Sequence, residues 1–418
     1  MVAVPVPVYP VAERFVNIAR EITYGTPPTT GFVTIPVAGF DPDPKQQMLE
    51  DKGLRGSMTE VYDYQSGPYW TDTTIPASPL FGDTIGHILY NLFGDYTVTG
   101  TAGTPTWTTS SAITAGATSI AVSSGSSAVG GTFIQVGSGT TSEVLTVGTG
   151  STGTSITLAA ATPARFSHLS GITITTVTAP FTHVFSTLNQ ASSTGSVSGQ
   201  PPSHTLVDRN QTAGSTYYAD LYPYACFSQV KLTGASTGLL TWEGTCSSWG
   251  QTAPTATAQV TSSISSVRSI PAWKGTSTVG GTSVYDIESW GITLNRALEP
   301  VPTIDGQQSP YVIARGVLTG TFDAMYSPAL DQSALTNYLN NTQPTLVWTT
   351  SNGLSGSSLV SFSVAAQLMG FNSAKLTASK TLFGYTTAGM LIGNSTNSNN
   401  SGGYGIANIT LQNAISSY

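Results

Sequence analysis

Alternation of apolar and polar residues is clearest in Val317 to Tyr326, where Leu318, Gly320, Phe322, Ala324 and Tyr326 take one side. Val317, Thr319, Thr321, Asp323 and Met325 take the other, which is the period of a half-buried strand. Ser327 and Pro328 then read as the N-cap and first turn of a helix. Leu330, Ala334, Leu335, Tyr338 and Leu339 form its apolar face, and Asn340 and Asn341 its stop. Leu346, Val347 and Trp348 resume the sheet. A second copy of this strand–helix–strand pattern starts at Tyr69 (YWTDTTI), with Ser78 and Pro79 as the same cap pair. Phe81, Ile85, Ile88, Leu89, Leu92 and Phe93 are its stripe and Gly94 its stop. Its return strand begins at Tyr96, is interrupted, and resumes at Phe181.

Elsewhere the pattern is shorter. Met1 to Pro10 alternates Val and Pro and predicts an extended arm, because Pro cannot donate to the interior of a sheet. Phe15 to Tyr24 fits either period and is taken as a strand with Val16, Ile18, Ile22 and Tyr24 on one face. Thr26 to Gly56 shows little periodicity and is expected to be a long ordered loop, either a functional flap or a solvated excursion. Thr104 to Ala179 holds five short strands at regular spacing separated by Gly-rich turns, as in a small sandwich or barrel. Interrupting the return strand, it is expected to be an insertion at a hairpin tip. Gly195 to Asp220 reads as loop, Thr252 to Ser266 as a linker, and Tyr285 to Leu298, Leu359 to Ala366 and Ile406 to Ile415 as strands. Asn394 to Gly403 reads as a polar loop before the last of these.

Composition narrows the class. In 418 residues only 8% are charged, yet mean hydropathy is +0.06 and the apolar runs are short and bounded by turn residues. That combination predicts a mainly β fold rather than disorder. A net charge of −7 opposes a surface that grips phosphate. No apolar run reaches membrane-spanning length, and the first residues lack a secretory pattern. Cys226 and Cys246 are the two cysteines. In a hairpin pairing Thr233 with Leu239 they would face each other, and two free buried thiols are the favoured reading over a bridge.

Candidate chemistry is sparse. His87, His168, His183 and His204 show no metal-ligand spacing. His87, within the first helix, reads as a core or boundary residue. His183 and His204 could meet, but chance Ser/His neighbours are common in a Ser-rich β protein, so no hydrolytic triad is expected. Gly130-Gly131 and Gly402-Gly403 read as hairpin turns. Asp41, Asp43, Glu50 and Asp51 lack EF-hand spacing and read as solvated loop charges. No catalytic residue, metal or cofactor is expected, and the chain is not expected to be an enzyme.

Taken in order, ERFVNIAREITYGTP, LEDKGLRGS, FGDTIGHILYNLFGD, PFTHVFSTLN with GQPPSHTL, LLTWEGT, LEPVPTIDGQQSPYVIARG and GGYGIANITLQNA resemble the major tail protein, or tail tube protein, of long-tailed phages, in the large form found in phages of actinobacteria. The resemblance spans nearly the whole chain outside the insertion. It implies a tail-tube β-barrel or sandwich body with short flanking helices, two tube-like modules in one chain, and an inserted small β domain on the exterior. The divisions that follow are 1–103 and 181–265 for the first module, 104–180 for the insertion and 266–418 for the second module.

The same resemblance implies a structural virion protein that stacks as rings into the tail tube, the channel for DNA delivery. The rings hold three chains with pseudo-sixfold symmetry or six chains. Its partners are further copies of itself, a tape-measure protein and double-stranded DNA in the lumen without sequence-specific binding, and tail terminator and distal tail proteins at the ends. No membrane is involved; the chain belongs to the virion, and to the host cytoplasm during assembly. About 24 strands spaced ~4.8 Å and tilted near 45° close into a barrel of ~50 Å backbone diameter, leaving a bore of ~40 Å. Half as many strands leave ~14 Å, too narrow for a duplex of ~20 Å. A wall with few cations lets DNA slide, and Asp72 and Asp323 are the candidate lumen-facing acids. The Pro-rich arm and the Thr26 to Gly56 flap are expected to join ring to ring, so that removing Met1 to Thr23 leaves a folded chain that makes no long tubes. The alternative is a tail-tip or cell-surface adhesin whose inserted domain binds carbohydrate, for which Trp107 is that domain's one Trp.

Overall fold

The computed structural model describes residues 14–53, 55–56, 58–160, 162–189, 200–211, 217–250, 267–304, 309–310, 312–327, 333–379, 382–393 and 403–418. The Met1 to Pro10 arm, the Thr252 to Ser266 linker, Pro328, Leu330 and residues 394–402 lie outside them. The chain opens with β1 (Arg14–Arg20), β2 (Val33–Ile35), the hairpin of β3 (Asp41–Asp51) and β4 (Asp63–Pro79), and helix α1 (Ile85–Phe93). β5 (Gly94–Thr108) leads out to β6 (Ser119–Ala121), β7 (Phe133–Val136), β8 (Glu143–Thr146) and β9 (Ser155–Thr157), and β10 (Thr173–Thr187) leads back. β11 (His204–Gln211), β12 (Tyr217–Ala235), β13 (Thr241–Trp249), β14 (Thr276–Val279), β15 (Thr282–Val284), β16 (Ile287–Val301) and β17 (Val312–Tyr326) precede helix α2 (Ser333–Leu339). β18 (Leu346–Ser351), β19 (Ser361–Ala366), β20 (Leu368–Ser379), β21 (Leu382–Ile392) and β22 (Ala407–Asn413) complete it.

The fold is mainly β and antiparallel, in two large sheets. Along the first run β3-β4-β13-β12-β16-β17-β21-β20, and the leading part of β12 turns aside to pair β11, which pairs β1 and then β2. The second runs β15-β14-β18-β19-β22-β10-β7-β8, with β5 also on β10. One order of connection occurs twice. Hairpin β3–β4, helix α1, the pair β5 and β10, then hairpin β12–β13 matches hairpin β16–β17, helix α2, the pair β18 and β19, then hairpin β20–β21. Each series places its four first-sheet strands in the same spatial order, β3-β4-β13-β12 and β16-β17-β21-β20, and β12 pairs β16 where they meet.

Between the sheets lies one apolar core that includes Ile88, Leu89 and Phe93 of α1, Phe227 and Leu232 of β12, Leu294 of β16 and Ile409 of β22. Trp290 and Trp348 meet across it at 4.6 Å between ring centres. β17 alternates as its sequence predicts, with Leu318, Gly320, Phe322, Ala324 and Tyr326 buried. α1 is buried on every side because Gly86 lets the Tyr418 ring lie on it, where a Cβ would approach to 2.3 Å. Gly94 ends the helix in the left-handed conformation at φ 83° and donates its N–H to Tyr90 O. Residues 107–174 hold a second cluster, in which Ile134, Ile156 and Ile174 are fully covered.

Several expectations are corrected. The N-cap of α1 is Thr84; Ser78 and Pro79 close β4, where the Ser78 hydroxyl donates to Pro76 O and accepts from Ala38 N. The expected first turn of α2 from Pro328 lies outside the described residues; the described part begins at Ser333, and Tyr338 and Leu339, expected on its apolar face, are exposed. Tyr96 and Phe181 do not share a split strand. They lie on antiparallel neighbours, β5 and β10, whose register runs from Thr187 opposite Gly94 to Thr173 opposite Thr108 with two breaks. β1 stops at Arg20 and Ile22 points to solvent. The Thr26 to Gly56 segment contains β3, whose charges and two prolines conceal a strand exposed on both faces. Gly195 to Asp220 contains β11 and the start of β12, strands that bury Asp208, Arg209 and Asp220 as well as Leu206, Val207 and Ala219.

Glu21, just past β1, is 5% exposed and gathers four donors. Its carboxylate accepts from Gly25 N at 2.7 Å, Tyr224 N at 2.8 Å, and the Ser203 and Thr205 hydroxyls. This ties the first strand to β11 and β12, so removing Met1 to Thr23 would take out core; a truncation that spares the fold ends before Arg14. Glu21→Ala strands four buried polar groups and is expected to cost about 3 kcal/mol. The measurement is urea unfolding, with a lower midpoint at unchanged slope.

Candidate functional site

The feature with most functional content is the outward face and the two ends of the first sheet. Asp72 of β4 and Asp323 of β17 lie on the same face, because Thr74, two residues from Asp72, is linked by the register through Thr245, Gln229 and Asn295 to Thr319, four residues from Asp323. Asp72 is half-buried, opposite Ser247 of β13, whose hydroxyl donates to it at 2.6 Å. Asp323 is exposed opposite Gly291 of β16, where any Cβ would lie 2.6 Å from its Oδ1. Four strand spacings separate β4 from β17, about 19 Å sideways. Between them the face presents Thr245, Lys231, Thr233, Thr293 and Asn295, half-exposed, and Thr321, exposed.

Charge on this face is acidic and partly neutralised. Lys231 pairs Glu243 at 3.1 Å, and Lys45 pairs Asp43, which stands opposite Asp72 in the β3–β4 register. With Asp41 opposite Thr74 and Lys375 opposite Thr386, five carboxylates (Asp41, Asp43, Asp72, Glu243, Asp323) stand against three ammonium groups (Lys45, Lys231, Lys375). Asp41 and Asp43 are therefore strand residues, not loop charges. Glu50 and Asp51 pair Lys52 and Arg55 near the hairpin tip. Both ends of the eight-strand run are open among the described residues: β3 pairs only β4, and β20 only β21.

The histidines lie elsewhere. His87 packs edge-on against His204 at 5.6 Å and Tyr418 at 5.1 Å between ring centres, and Tyr418 is also 4.9 Å from His183. The Tyr418 ring thus stands between His183 and the other two. His183 Nδ1 meets Tyr96 OH at 3.1 Å and its Nε2 meets Asn413 Oδ1 at 3.2 Å. His204 Nδ1 accepts from Asn91 Nδ2 at 2.9 Å. Burial holds these rings neutral: it lowers His183 to about 4 and His87 to about 3, and takes His204 well below its ordinary value. These contacts are to amides and a phenol, which suits packing rather than proton transfer. In the unit carried by β5 and β10, His168 Nε2 donates to Glu143 Oε1, 2.8 Å away and buried, and Glu143 also accepts from Arg165 N and Phe166 N. The Arg165 side chain instead lies over Tyr96 at 4.5 Å and Phe166 at 4.4 Å. Trp107 is core, 5% exposed, and donates to Ser126 O, so it offers no stacking face for a sugar.

Cys226 and Cys246 are free and buried. The hairpin pairs Thr233 with Thr241 instead of Leu239, a shift of two that a bulge between Phe227 and Gln229 reduces to one, so that Cys226 stands opposite Ser247 and Cys246 opposite Phe227. No sequence signal marked Glu21, Arg296 or Arg315, whose partners are far away along the chain. Arg296 donates to Phe93 O at 3.3 Å and Arg315 to Asn91 O at 3.5 Å, satisfying carbonyls at the end of α1. No protein-family model matches this chain, and no curated protein matches it.

Two predictions follow from the buried groups. A His whose folded pKa is depressed is neutral in the fold while the unfolded chain takes up a proton, so stability falls as pH drops from about 6.5 to about 4 for His183. Equilibrium urea unfolding at stepped pH is expected to show this slope, and His183→Gln to reduce it by about one proton. Burial pushes the Cys226 thiol up to about 11 and Cys246 higher. A thiol reagent at pH 8 is therefore expected to leave the native chain untouched and to count two thiols after unfolding without reductant.

Proposed function

We propose that this chain is the structural subunit of a phage tail tube, three copies closing a ring and rings stacking into the channel that delivers DNA. The observation that carries the reading is the unbroken run of eight antiparallel strands with an open edge at each end. Three chains supply 24 strands, which close into a bore of about 40 Å, wide enough for a duplex of ~20 Å. Six chains would supply 48 strands and a backbone diameter of ~100 Å, far wider than DNA requires. Of the two ring sizes the resemblance allows, the strand count favours three.

The repeated order of connection supports two tube-like modules, joined by the β12–β16 pairing. Closure would then use β20 of one chain and β3 of the next, since β20 corresponds to β12 and β3 to β16. Before assembly those edges are guarded: Pro42 and Pro44 remove donors from β3, and Lys375 charges β20. The outward face, rich in Thr and carrying an excess of carboxylate, becomes the lumen wall, and Asp72 and Asp323 its fixed negative charges. Phosphate passes such a wall without being held. A tape-measure protein would fill the lumen before DNA, with terminator and distal tail proteins at the ends, in the virion. Residues 104–180 lie on the side of the second sheet and project outward as an inserted small domain.

Electron microscopy of the purified chain tests this. Rings or tubes with a bore of about 40 Å and three outer protrusions per ring are expected, whereas monodisperse monomers at high concentration would overturn the reading.

A further inference from the structure

Helices α1 and α2 hold corresponding places in the two series, yet their surroundings differ. All nine residues of α1 are buried. In α2 only Ala334 is buried, while Tyr338 and Leu339 remain 39% and 70% exposed. One difference is what lies over the last turn of each. α1 is covered at its last turn by the hairpin that opens the other series, through Arg296 of β16 and Arg315 of β17. That hairpin reaches α1 because β16 pairs β12, the inner strand of the first series. Among the described residues α2 has no such hairpin over it, and β20, the strand that corresponds to β12, has nothing paired on its far side.

We propose that the exposed face of α2 is a docking surface for the β3–β4 hairpin of a second copy of this chain. The occupant follows from the repeat: β3–β4 corresponds to β16–β17, so the relation that covers α1 inside one chain would cover α2 between chains. The surfaces suit each other. The hairpin shows Met48 and Leu49 at 43% and 49% exposure, apolar groups that an isolated chain leaves in water beside those of α2. Arg296 is paired with Leu318, eight positions before the end of β17; the same count from the end of β4 reaches Thr71, paired with Pro44. Pro44 is exposed and has the inward parity of Arg296, so it is Pro44 that takes the place at which Arg296 meets α1.

This inference rests on the ring reading, and the two fail separately. Pro44→Cys with Leu339→Cys is treated with a short bis-maleimide after assembly, the native cysteines being buried. Covalent dimers and trimers are expected at least tenfold above either single variant. Leu339→Asp, at a solvent-exposed position, is expected to keep its circular dichroism and melting temperature while losing at least tenfold in assembled material. Intact rings with no cross-linking and with Leu339→Asp assembling as the parent does would overturn the docking surface and leave the ring reading standing. A parent chain that never assembles would overturn both.

Discussion

A helix buried on all sides must have its end carbonyls satisfied by protein, because no water can reach them. In α1 the requirement is met from four directions. Gly94 and Leu188 donate from the neighbouring backbone, to Tyr90 O and Phe93 O, and the guanidinium groups of Arg296 and Arg315 arrive from a hairpin some two hundred residues later. The two series cannot therefore fold as independent bodies with separate cores. Packing around this one helix fixes how the β16–β17 hairpin sits on β12, and so fixes the continuity of the eight-strand run. The loss of either arginine would remove a donor from the end of α1 and loosen the same junction.

Much of the local structure was legible where burial is one-sided. The alternation in Leu318 to Tyr326, the stripe of α1 and the stops at Gly94 and Asn341, which has φ 50°, all reflect a single dominant demand on each residue. Expectation failed where that demand was absent or doubled. β3 has no apolar face to announce it, since both of its sides meet solvent. β11 buries His204, Thr205, Asp208 and Arg209, so its polarity resembles that of a loop. Ser78-Pro79 offered cap chemistry, but a strand end accepts the same pair, and only the tertiary path from Leu80 to Thr84 decides between them.

Of the candidate site, the parity of Asp72 and Asp323 on their own strands could be read directly. Their shared face could not, because it depends on the registers of β13, β12 and β16 and on a bulge in each of two ladders. Cys226 and Cys246 illustrate the point on a smaller scale. A loop two residues longer than the Gly234 to Gly238 turn moves them out of opposition, a bulge near Ser228 takes back half of the shift, and no residue type in the hairpin signals either.

The β5–β10 ribbon has a mechanical consequence. Both covalent routes to residues 109–172 run through this pair, and β10 is held to β22 from Phe181 to Phe185 by an antiparallel ladder. A pull on residues 109–172 along the ribbon loads that ladder in shear, so its hydrogen bonds bear the force together instead of opening one after another. Cargo attached there could be tugged hard while the core beneath kept its shape.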